Sequence, residues 1–258
     1  NSLINICITA FALRSDNSWL DGFKQLLMLN NFQINQSSTL KIIWNTLWIA
    51  GFTLLVTLFI SISLVYFFKQ KDQDKNSKLY KIISNIAVFF FTLPLTRATV
   101  IIALGLYLQF KDSIFFIHGH NSWILIVITQ AILSIPIATR IILNGYNRID
   151  QDFCEMAKSL GASKIQVFLQ IELPQLKRSI FLSIFFTIII SFSEFSSTLF
   201  IARDEYSTMA LVIYDLIFRE DIQIAASMSL IFIITIIIIL ILVELNQKSQ
   251  YQQKTRKI

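Results

Sequence analysis

Long apolar stretches alternate with short polar segments along most of the chain. A helix needs roughly 20 apolar residues to cross the hydrocarbon core of a bilayer, so stretches of that length are the first signal. They predict five complete transmembrane helices, at about residues 44–67, 82–108, 122–143, 179–201 and 222–245. The pattern indicates an all-α, polytopic membrane protein built as a helical bundle.

The first apolar stretch of the chain, residues 3–13, is too short to cross a bilayer by itself. No basic residue precedes it, so it lacks the start of a signal peptide. We therefore expect residues 1–13 to be the cut end of a transmembrane helix, followed by an external loop at residues 14–43.

Lys and Arg are concentrated in alternate connecting segments, and this bias predicts the orientation in the membrane. Residues 69–81 carry five lysines, and residues 144–178 and 246–258 are also rich in Lys and Arg. The connecting segments between them hold fewer basic residues and more acids. Because basic loops stay in the cytoplasm, these three segments are predicted to be cytoplasmic.

Composition and charge agree with a membrane protein. Hydrophobic residues make up 55% of the chain and charged residues 15%, whereas soluble domains carry about 25% charged residues. The net charge of +6 does not indicate nucleic-acid binding, because the basic residues lie between apolar stretches and not on one soluble face. Cys7 and Cys154 are predicted near different membrane faces, so both are expected to be unpaired thiols.

The segment 144–178, called the cytoplasmic loop below, is long for a connection between membrane helices. Asp150 or Asp152 can cap a helix start, and Gly161 permits the left-handed turn that ends this helix. One apolar stripe at spacings of three and four is formed by Phe153, Met156, Ala157 and Leu160.

A second helix is predicted after the turn. Its helical spacing continues until Leu173 and Pro174 interrupt it. The spacing is carried by Ile165, Phe168, Leu169 and Glu172. A short amphipathic helix, a sharp turn and a second helix form a projecting element of the kind that docks into a groove of another protein.

The stretch EMAKSLGASKIQVFLQIELP resembles the loop signature of bacterial ABC importer permeases. In that family Glu-Ala-Ala is followed after three residues by Gly, and after nine more by Ile-x-Leu-Pro. Met156 replaces the usual first Ala and Arg178 replaces a common Pro, but neither changes the spacing. The resemblance implies that a cytoplasmic ATPase docks on Glu155, Met156, Ala157, Gly161, Ile171, Leu173 and Pro174.

The resemblance covers roughly residues 40–245. Asn45-Thr46-Leu47 and Leu93-Pro94 look like the start and middle of the permease core. The stretch from Ser193 to Phe200 is similar to the Gly-Glu-Phe-Gly-Ala-Thr-Leu stretch of the iron(III), thiamine, sulfate and molybdate permeases. In the iron(III) and thiamine branches two permease halves are often fused, so this chain is expected to be the C-terminal half of such a fusion.

The resemblance also implies the fold class, the partners and the place of the chemistry. The expected fold is the helical bundle of type I ABC importer permeases, in the bacterial inner membrane. The chain is expected to be a transport subunit without a catalytic residue, metal or cofactor, with ATP and Mg bound by a partner ATPase dimer. Further expected partners are a second permease half, fused or separate, and an external substrate-binding protein; the expected cargo is iron(III), thiamine or a small oxyanion.

Two charged residues within the predicted spans are candidates for the substrate pathway. An ionisable group in a span is costly unless it faces a cavity, a partner or the interface, which makes Glu194 a pathway candidate. Alternatively, Glu194 lies near the outer headgroups or pairs with a neighbouring helix. Arg97, just after Pro94, is either a cavity cation or a hydrogen-bond partner for a broken helix.

Two other classes of protein were weighed against an importer permease. A secondary transporter or channel would carry several intramembrane charges or paired broken helices, but only Arg97 and Glu194 lie more than five residues from an end of a predicted span. A membrane enzyme would need a cluster of catalytic or metal-binding groups. His118 and His120 lack nearby carboxylates or thiols and are interpreted as loop residues.

Overall fold

The computed structural model describes residues 39–72, 99–110, 122–201 and 206–255. Regular structure in these ranges is helical, which confirms the all-α prediction. The helices are α1 (Thr39–Asp72), α2 (Thr99–Phe110), α3 (Ser122–Tyr146), α4 (Gln151–Ser159), α5 (Lys164–Val167), α6 (Leu173–Ser193), α7 (Ser196–Ile201), α8 (Met209–Phe218) and α9 (Ile222–Thr255). A π-helical turn, Phe168–Glu172, joins α5 to α6.

Four helical segments in the described ranges are long and apolar enough to cross a membrane. They are Thr39–Tyr66, Ser122–Tyr146, Lys164–Ser193 and Ile222–Leu245. From Ile234 to Leu245, the exposed side chains of α9 are Ile or Leu apart from Glu244 near the end, as suits a surface that faces lipid. Most of the second predicted span lies outside the described residues, and α2 covers its final part.

The fourth span differs from the stretch 179–201 indicated by the sequence. The continuous helical path begins at Lys164 and ends at Ser193, and α7 begins only at Ser196. Its start is set by a capping box, in which Ser163 and Gln166 each satisfy a backbone N–H of the other. The helix therefore starts inside the cytoplasmic loop and stops before Glu194.

Pro174 does not end the second helix of the loop, contrary to the sequence-based expectation. The π-helical turn lies immediately before it, and the Leu173 N–H bonds to the Phe168 carbonyl five residues back. A proline lacks an N–H and crowds the carbonyl four residues before it. The wider π turn accommodates that ring, so the helix continues into the span.

The helices contribute to two compact units. Of the described residues, 39–53, 99–110, 122–130, 189–201 and 206–242 belong to the first unit, and 54–72, 131–188 and 243–255 to the second. The first unit contains a core formed by the start of α1, helix α8 and the start of α9. Its buried members are Ile42, Met209, Val212, Leu216, Ile224, Ala225 and Met228.

Hydrogen bonds of buried polar side chains connect the helices of the first unit. The Thr46 hydroxyl accepts a hydrogen bond from the Met209 N–H at 3.0 Å, so α1 holds the first residue of α8. Gln130 is 1% exposed, and its Oε1 accepts from Thr53 at 3.0 Å and Ser191 at 2.7 Å. One amide thereby links α1, α3 and α6, because buried polar side chains between apolar helices must satisfy one another.

The core of the second unit joins the cytoplasmic loop to the ends of the spans. Residues from α1, α3, α4, α5 and α6 meet there, so the loop is packed and not extended. The buried members are Val65, Ile142, Tyr146, Ile149, Cys154, Val167 and Leu176.

Candidate docking loop and pathway residues

Helix α4 is defined by signals at both of its ends. The Asp150 side chain accepts from the Asp152 N–H at 3.1 Å, so Asp150 is the N-cap residue. At the other end Gly161 has a φ of +89°, which confirms the predicted left-handed turn. The N–H groups of Gly161 and Ala162 bond back to Lys158 and Ala157 at 3.0 Å and satisfy carbonyls at the helix end.

The predicted apolar stripe of α4 is divided between two sides of the helix. Phe153, Met156 and Leu160 are 59%, 62% and 88% exposed, at spacings of three and four. Cys154 is buried and Ala157 packs against the core of the second unit. We call Phe153, Met156 and Leu160 the exposed apolar face of α4; such a face on a polar loop is typical of a protein-binding surface.

The residues of the loop signature take different positions. Glu155, Met156, Gly161 and Pro174 are exposed, while Ala157 and Leu173 are half-buried. Ile171 packs against the core of the second unit. The first part of the signature thus forms surface, and the second part anchors the loop to the spans.

Glu172 is a site residue that the sequence analysis did not single out. Its side chain is 7% exposed and lies near the Tyr146 hydroxyl and the Cys154 thiol. The Cys154 thiol donates a hydrogen bond to the Asp150 carbonyl oxygen at 3.9 Å. The sequence did contain a signal for Glu172: it is a lone acid among apolar residues that lead into a span. Such an acid typically has a functional role.

The Cys154 thiol has an altered acidity. Burial, followed by the nearby Glu172 carboxyl group, raises the pKa of the Cys154 thiol above its ordinary value. Both effects disfavour the thiolate, since a negative charge is poorly solvated there and lies beside another acid. The thiol is unpaired, as the sequence predicted.

Glu194 lies at the interruption between α6 and α7. It is half-buried, and its Oε1 accepts from the Ser197 N–H at 3.2 Å, so it caps the start of α7. Helix α7 packs against α2. A carboxylate that satisfies a free N–H at a helix start has a structural role there, whatever else it contacts.

Several residues singled out from the sequence lie outside the described residues. They are Cys7, Pro94, Arg97, His118 and His120. The side chains of the lysines at 69–81 and of the tail at 246–258 are also outside the description. Arg97 therefore remains a pathway candidate on sequence grounds alone.

The fold and the loop define a multi-pass membrane subunit of a transport system. Residues 73–252 match the family model described as "Binding-protein-dependent transport system inner membrane component". This match covers more than half of the chain, and the chain belongs to that family. Membership confirms the ABC importer permease resemblance, the inner-membrane location and a transport role.

Two curated permease proteins are similar to this chain in sequence. The chain is 27% identical to the probable transport system permease protein NifC of Clostridium pasteurianum, over 64% of this chain and 62% of NifC. It is 30% identical to the sulfate transport system permease protein CysT of Salmonella typhimurium, over 43% of this chain and 42% of CysT. The chain thus matches less than two thirds of the length of either relative.

A solved structure agrees on the fold. The chain is similar to a crystal structure of a bacterial ABC transporter involved in the import of the acidic polysaccharide alginate. The TM-score is 0.73, with coverage of 96% of this chain and 88% of the other, at 18% identity. At that identity the similarity concerns the fold, and it confirms the permease helical bundle.

Proposed function

We propose that this chain forms a substrate pathway of an ATP-driven importer and couples it to a separate ATPase through Glu155–Pro174. The observation that carries the proposal is the exposed apolar face of α4. Phe153, Met156 and Leu160 lie on a loop that the basic-residue bias predicts to be cytoplasmic, where a soluble subunit could reach them. An amphipathic helix that presents apolar residues this way fits a groove on a partner.

The coupling works through the attachment of α4 to the spans. ATP and Mg belong to the partner dimer; closure of that dimer displaces α4, and this chain transmits the displacement. Cys154 on α4 shares a buried core with Tyr146 at the end of α3 and Leu176 in α6. Because packed interiors transmit strain and do not yield continuously, movement of α4 is passed to both helices.

The proposed assembly has two further partners and a small cargo. A second permease half, fused or separate, completes the pathway, and an external binding protein delivers the substrate. Among iron(III), thiamine and a small oxyanion we favour the oxyanion, since CysT is a sulfate permease. Competition of unlabelled sulfate, molybdate, iron(III) and thiamine for uptake by the full transporter distinguishes these cargoes.

Co-purification tests the docking proposal. The full chain is captured from membranes, and the ATP-binding subunit is identified and quantified in the eluate. We expect Leu160→Asp and Met156→Glu to remove most of the ATPase, because a charge on the apolar face must be desolvated on docking. Gln175→Ala is the matched control, since Gln175 is exposed just beyond the signature.

Two results of the co-purification would contradict the docking proposal. If no ATP-binding subunit accompanies the wild-type chain, or if both charged variants retain it at the control level, the loop does not dock an ATPase. Ion-gradient dependence of uptake without ATP would then support the secondary transporter considered above.

A further inference from the structure

Asn45 and Thr46, which belong to the stretch that resembles the start of a permease core, are both buried near the beginning of α1. Their side chains are 9% and 5% exposed. A buried polar side chain destabilises the fold unless hydrogen bonds replace its lost hydration. Both residues find partners in the segment that begins α8, which gives this part of the sequence a specific structural task.

Two hydrogen bonds join these residues to the start of α8. The Asn45 Nδ2 group donates to the Ser207 carbonyl oxygen at 3.5 Å, and the Thr46 hydroxyl accepts from the Met209 N–H at 3.0 Å. The partners lie 162 and 163 residues further along the chain. Ser207 and Met209 are 2% and 0% exposed, so these bonds are shielded from water. We call the two hydrogen bonds the α1–α8 latch.

Thr46 satisfies a backbone group that α8 cannot satisfy by itself. The first N–H groups of a helix have no carbonyl partner within that helix. The N-cap residue Thr208 accepts from the Leu211 N–H at 3.5 Å, and the Met209 N–H bonds to Thr46. The same Thr46 hydroxyl donates to the Ile42 carbonyl at 2.9 Å, so it is used as donor and as acceptor.

The other end of α8 is held by a tight backbone turn. Glu220 has a φ of +64° and is the one non-glycine residue with a positive φ in the part of the chain that the structure describes. The Asp221 N–H bonds to the Leu216 carbonyl at 3.0 Å, which closes the turn after α8. A residue with a Cβ keeps such an angle only where the surrounding structure imposes it. Helix α8 is thus fixed by the latch at its start and by a strained turn at its end.

Helix α8 is covered on one side only. Its Met209 and Leu216 side chains are fully buried and belong to one core with Met228 of α9. On its other side Ile217 and Phe218 are 58% and 80% exposed. Apolar contacts are non-directional, whereas hydrogen bonds require a narrow range of distances and angles. The latch therefore fixes where α8 lies on this core.

We propose that Asn45 and Thr46 are positioning residues that hold α8 as a lid over the apolar core of the first unit. When the latch breaks, α8 moves away from α1 about the turn at Glu220 while the spans stay folded. Exchanging two hydrogen bonds for bonds to water requires less free energy than unfolding a span, so the latch sets how often the lid opens. This inference goes beyond the proposed docking of an ATPase and does not depend on it.

Hydrogen exchange of the full chain in lipid nanodiscs measures the opening of the lid. Peptides from α8 are compared with peptides from α3 by mass spectrometry, in the wild type and in Thr46→Val, Thr46→Ser, Asn45→Ala and Thr129→Val. Thr129→Val is the matched control. The Thr129 hydroxyl is also fully buried in the first unit, but it donates to the Leu125 carbonyl of its own helix at 2.8 Å.

Thiol labelling provides a second measurement of the same opening. Val212→Cys, in a Cys7→Ser/Cys154→Ala background, places a thiol of similar size on the buried face of α8, where Val212 is 3% exposed. A charged methanethiosulfonate reagent enters apolar surroundings poorly, so it reacts when α8 has left the core. The labelling rate is measured with and without Thr46→Val.

We expect Thr46→Val to raise both the exchange rate of the first α8 amides and the labelling rate by about tenfold, because it leaves the buried Met209 N–H unpaired. Exchange in α3 should stay at the wild-type rate. Thr46→Ser keeps the hydroxyl and should behave like the wild type. Asn45→Ala should give a smaller rise, since its hydrogen bond is longer, and Thr129→Val should give none.

The following outcomes decide against the inference. Unchanged α8 exchange in Thr46→Val shows that the latch does not hold the lid. An equal rise in α3 and α8 denotes general loosening of the fold, and a Thr46→Ser variant as fast as Thr46→Val shows that the hydroxyl is not responsible. If Thr46→Val fails to reach the membrane, Asn45→Ala decides, and exchange at the wild-type rate in that variant overturns the proposal.

Discussion

Gly145 in α3 lies directly against the side chain of Ser179 in α6, so that a Cβ at position 145 would overlap the Ser179 hydroxyl group. Helices in membranes approach this closely only where one of them lacks a side chain. The contact lies at the C-terminal end of α3, one residue before Tyr146. It brings the two spans together beside the cytoplasmic loop.

Gly145→Ala should therefore destabilise the protein. Forcing a methyl group into a closed contact costs about 1–3 kcal/mol, because Ser179 or the helix itself must move. Thermal unfolding of the detergent-solubilised protein measures the effect as a lower Tm. Gly51→Ala is the control, since nothing lies within 4 Å of a Cβ at that position. Equal melting temperatures for the two variants would contradict the close contact.

Ser191→Ala should weaken the polar link at Gln130. The variant removes the 2.7 Å hydrogen bond from the Ser191 hydroxyl to Gln130 Oε1. Hydrogen bonds between membrane helices contribute about 0.6 kcal/mol on average and up to about 1.7 kcal/mol, so the expected loss lies in that range. Ser193→Ala, at an exposed position, should be neutral. Denaturation in mixed micelles compares the two variants, and equal stability would argue against the link.

Gly161→Val should impair docking through the angle of α4. The φ of +89° disfavours any residue with a Cβ, at a cost of about 1 kcal/mol, and a β-branched residue suffers most. The added side chain meets nothing within 4 Å, so the effect is conformational and not steric crowding. We expect Gly161→Val to insert in the membrane but retain less ATPase and import less cargo.

Gly161→Asn is the informative comparison, because Asn adopts left-handed conformations more readily than Val. It should recover much of the ATPase retention in the same pull-down. A substitution of the exposed Gln166 would not be a neutral control, because its side chain completes the capping box with Ser163. If the Val and Asn variants retain the same amount of ATPase, docking does not depend on the left-handed turn at Gly161.

Substitutions of Glu194 should separate its capping role from a pathway role. Glu194→Gln keeps an oxygen for the Ser197 N–H, so the Tm should be nearly unchanged. Glu194→Ala loses the cap, at a cost of about 0.5–2 kcal/mol. If the carboxylate also faces the pathway, Glu194→Gln lowers uptake without lowering stability. If Glu194→Gln takes up cargo as the wild type does at all cargo concentrations, the pathway role is wrong and only the capping role remains.

Cys154 should react slowly with maleimides in the folded protein. It is 1% exposed, and its raised pKa lowers the thiolate fraction at neutral pH. The test uses a Cys7→Ser background, in which Cys154 is the remaining cysteine of the sequence. Labelling in detergent should be at least tenfold slower than after unfolding, by the time course of mass addition. Equal rates before and after unfolding would show that Cys154 is accessible.

The same thiol predicts a change of stability with pH. A raised pKa means that the folded state favours the protonated thiol. Its contribution is complete below the ordinary thiol pKa of about 8.5 and is lost as the pH rises through the higher folded-state value. The Tm of the Cys7→Ser protein should therefore fall more steeply in that alkaline range than the Tm of a Cys7→Ser/Cys154→Ala variant. If the Tm of both variants falls equally with pH, the raised pKa of Cys154 is contradicted.

Much of the fold was decided by local properties of the sequence. Length and apolar composition determine which segments can cross a bilayer, and Lys and Arg in the short loops determine their orientation. The turn at Gly161 also followed from the sequence, since a glycine at a helix end satisfies carbonyls in a way other residues rarely can. The spacing of Glu155–Pro174 was sufficient to indicate the family because it reports contacts within one loop.

The tertiary structure alone decided which side chains are buried and paired. Spacing placed Phe153, Met156 and Ala157 on one stripe, but packing turned Ala157 inward and left the other two exposed. Likewise, the buried neighbours of Glu172 lie 26 and 18 residues earlier in the chain, at Tyr146 and Cys154. Burial and hydrogen bonding depend on which distant segments meet, whereas helical periodicity describes only neighbours within about two turns.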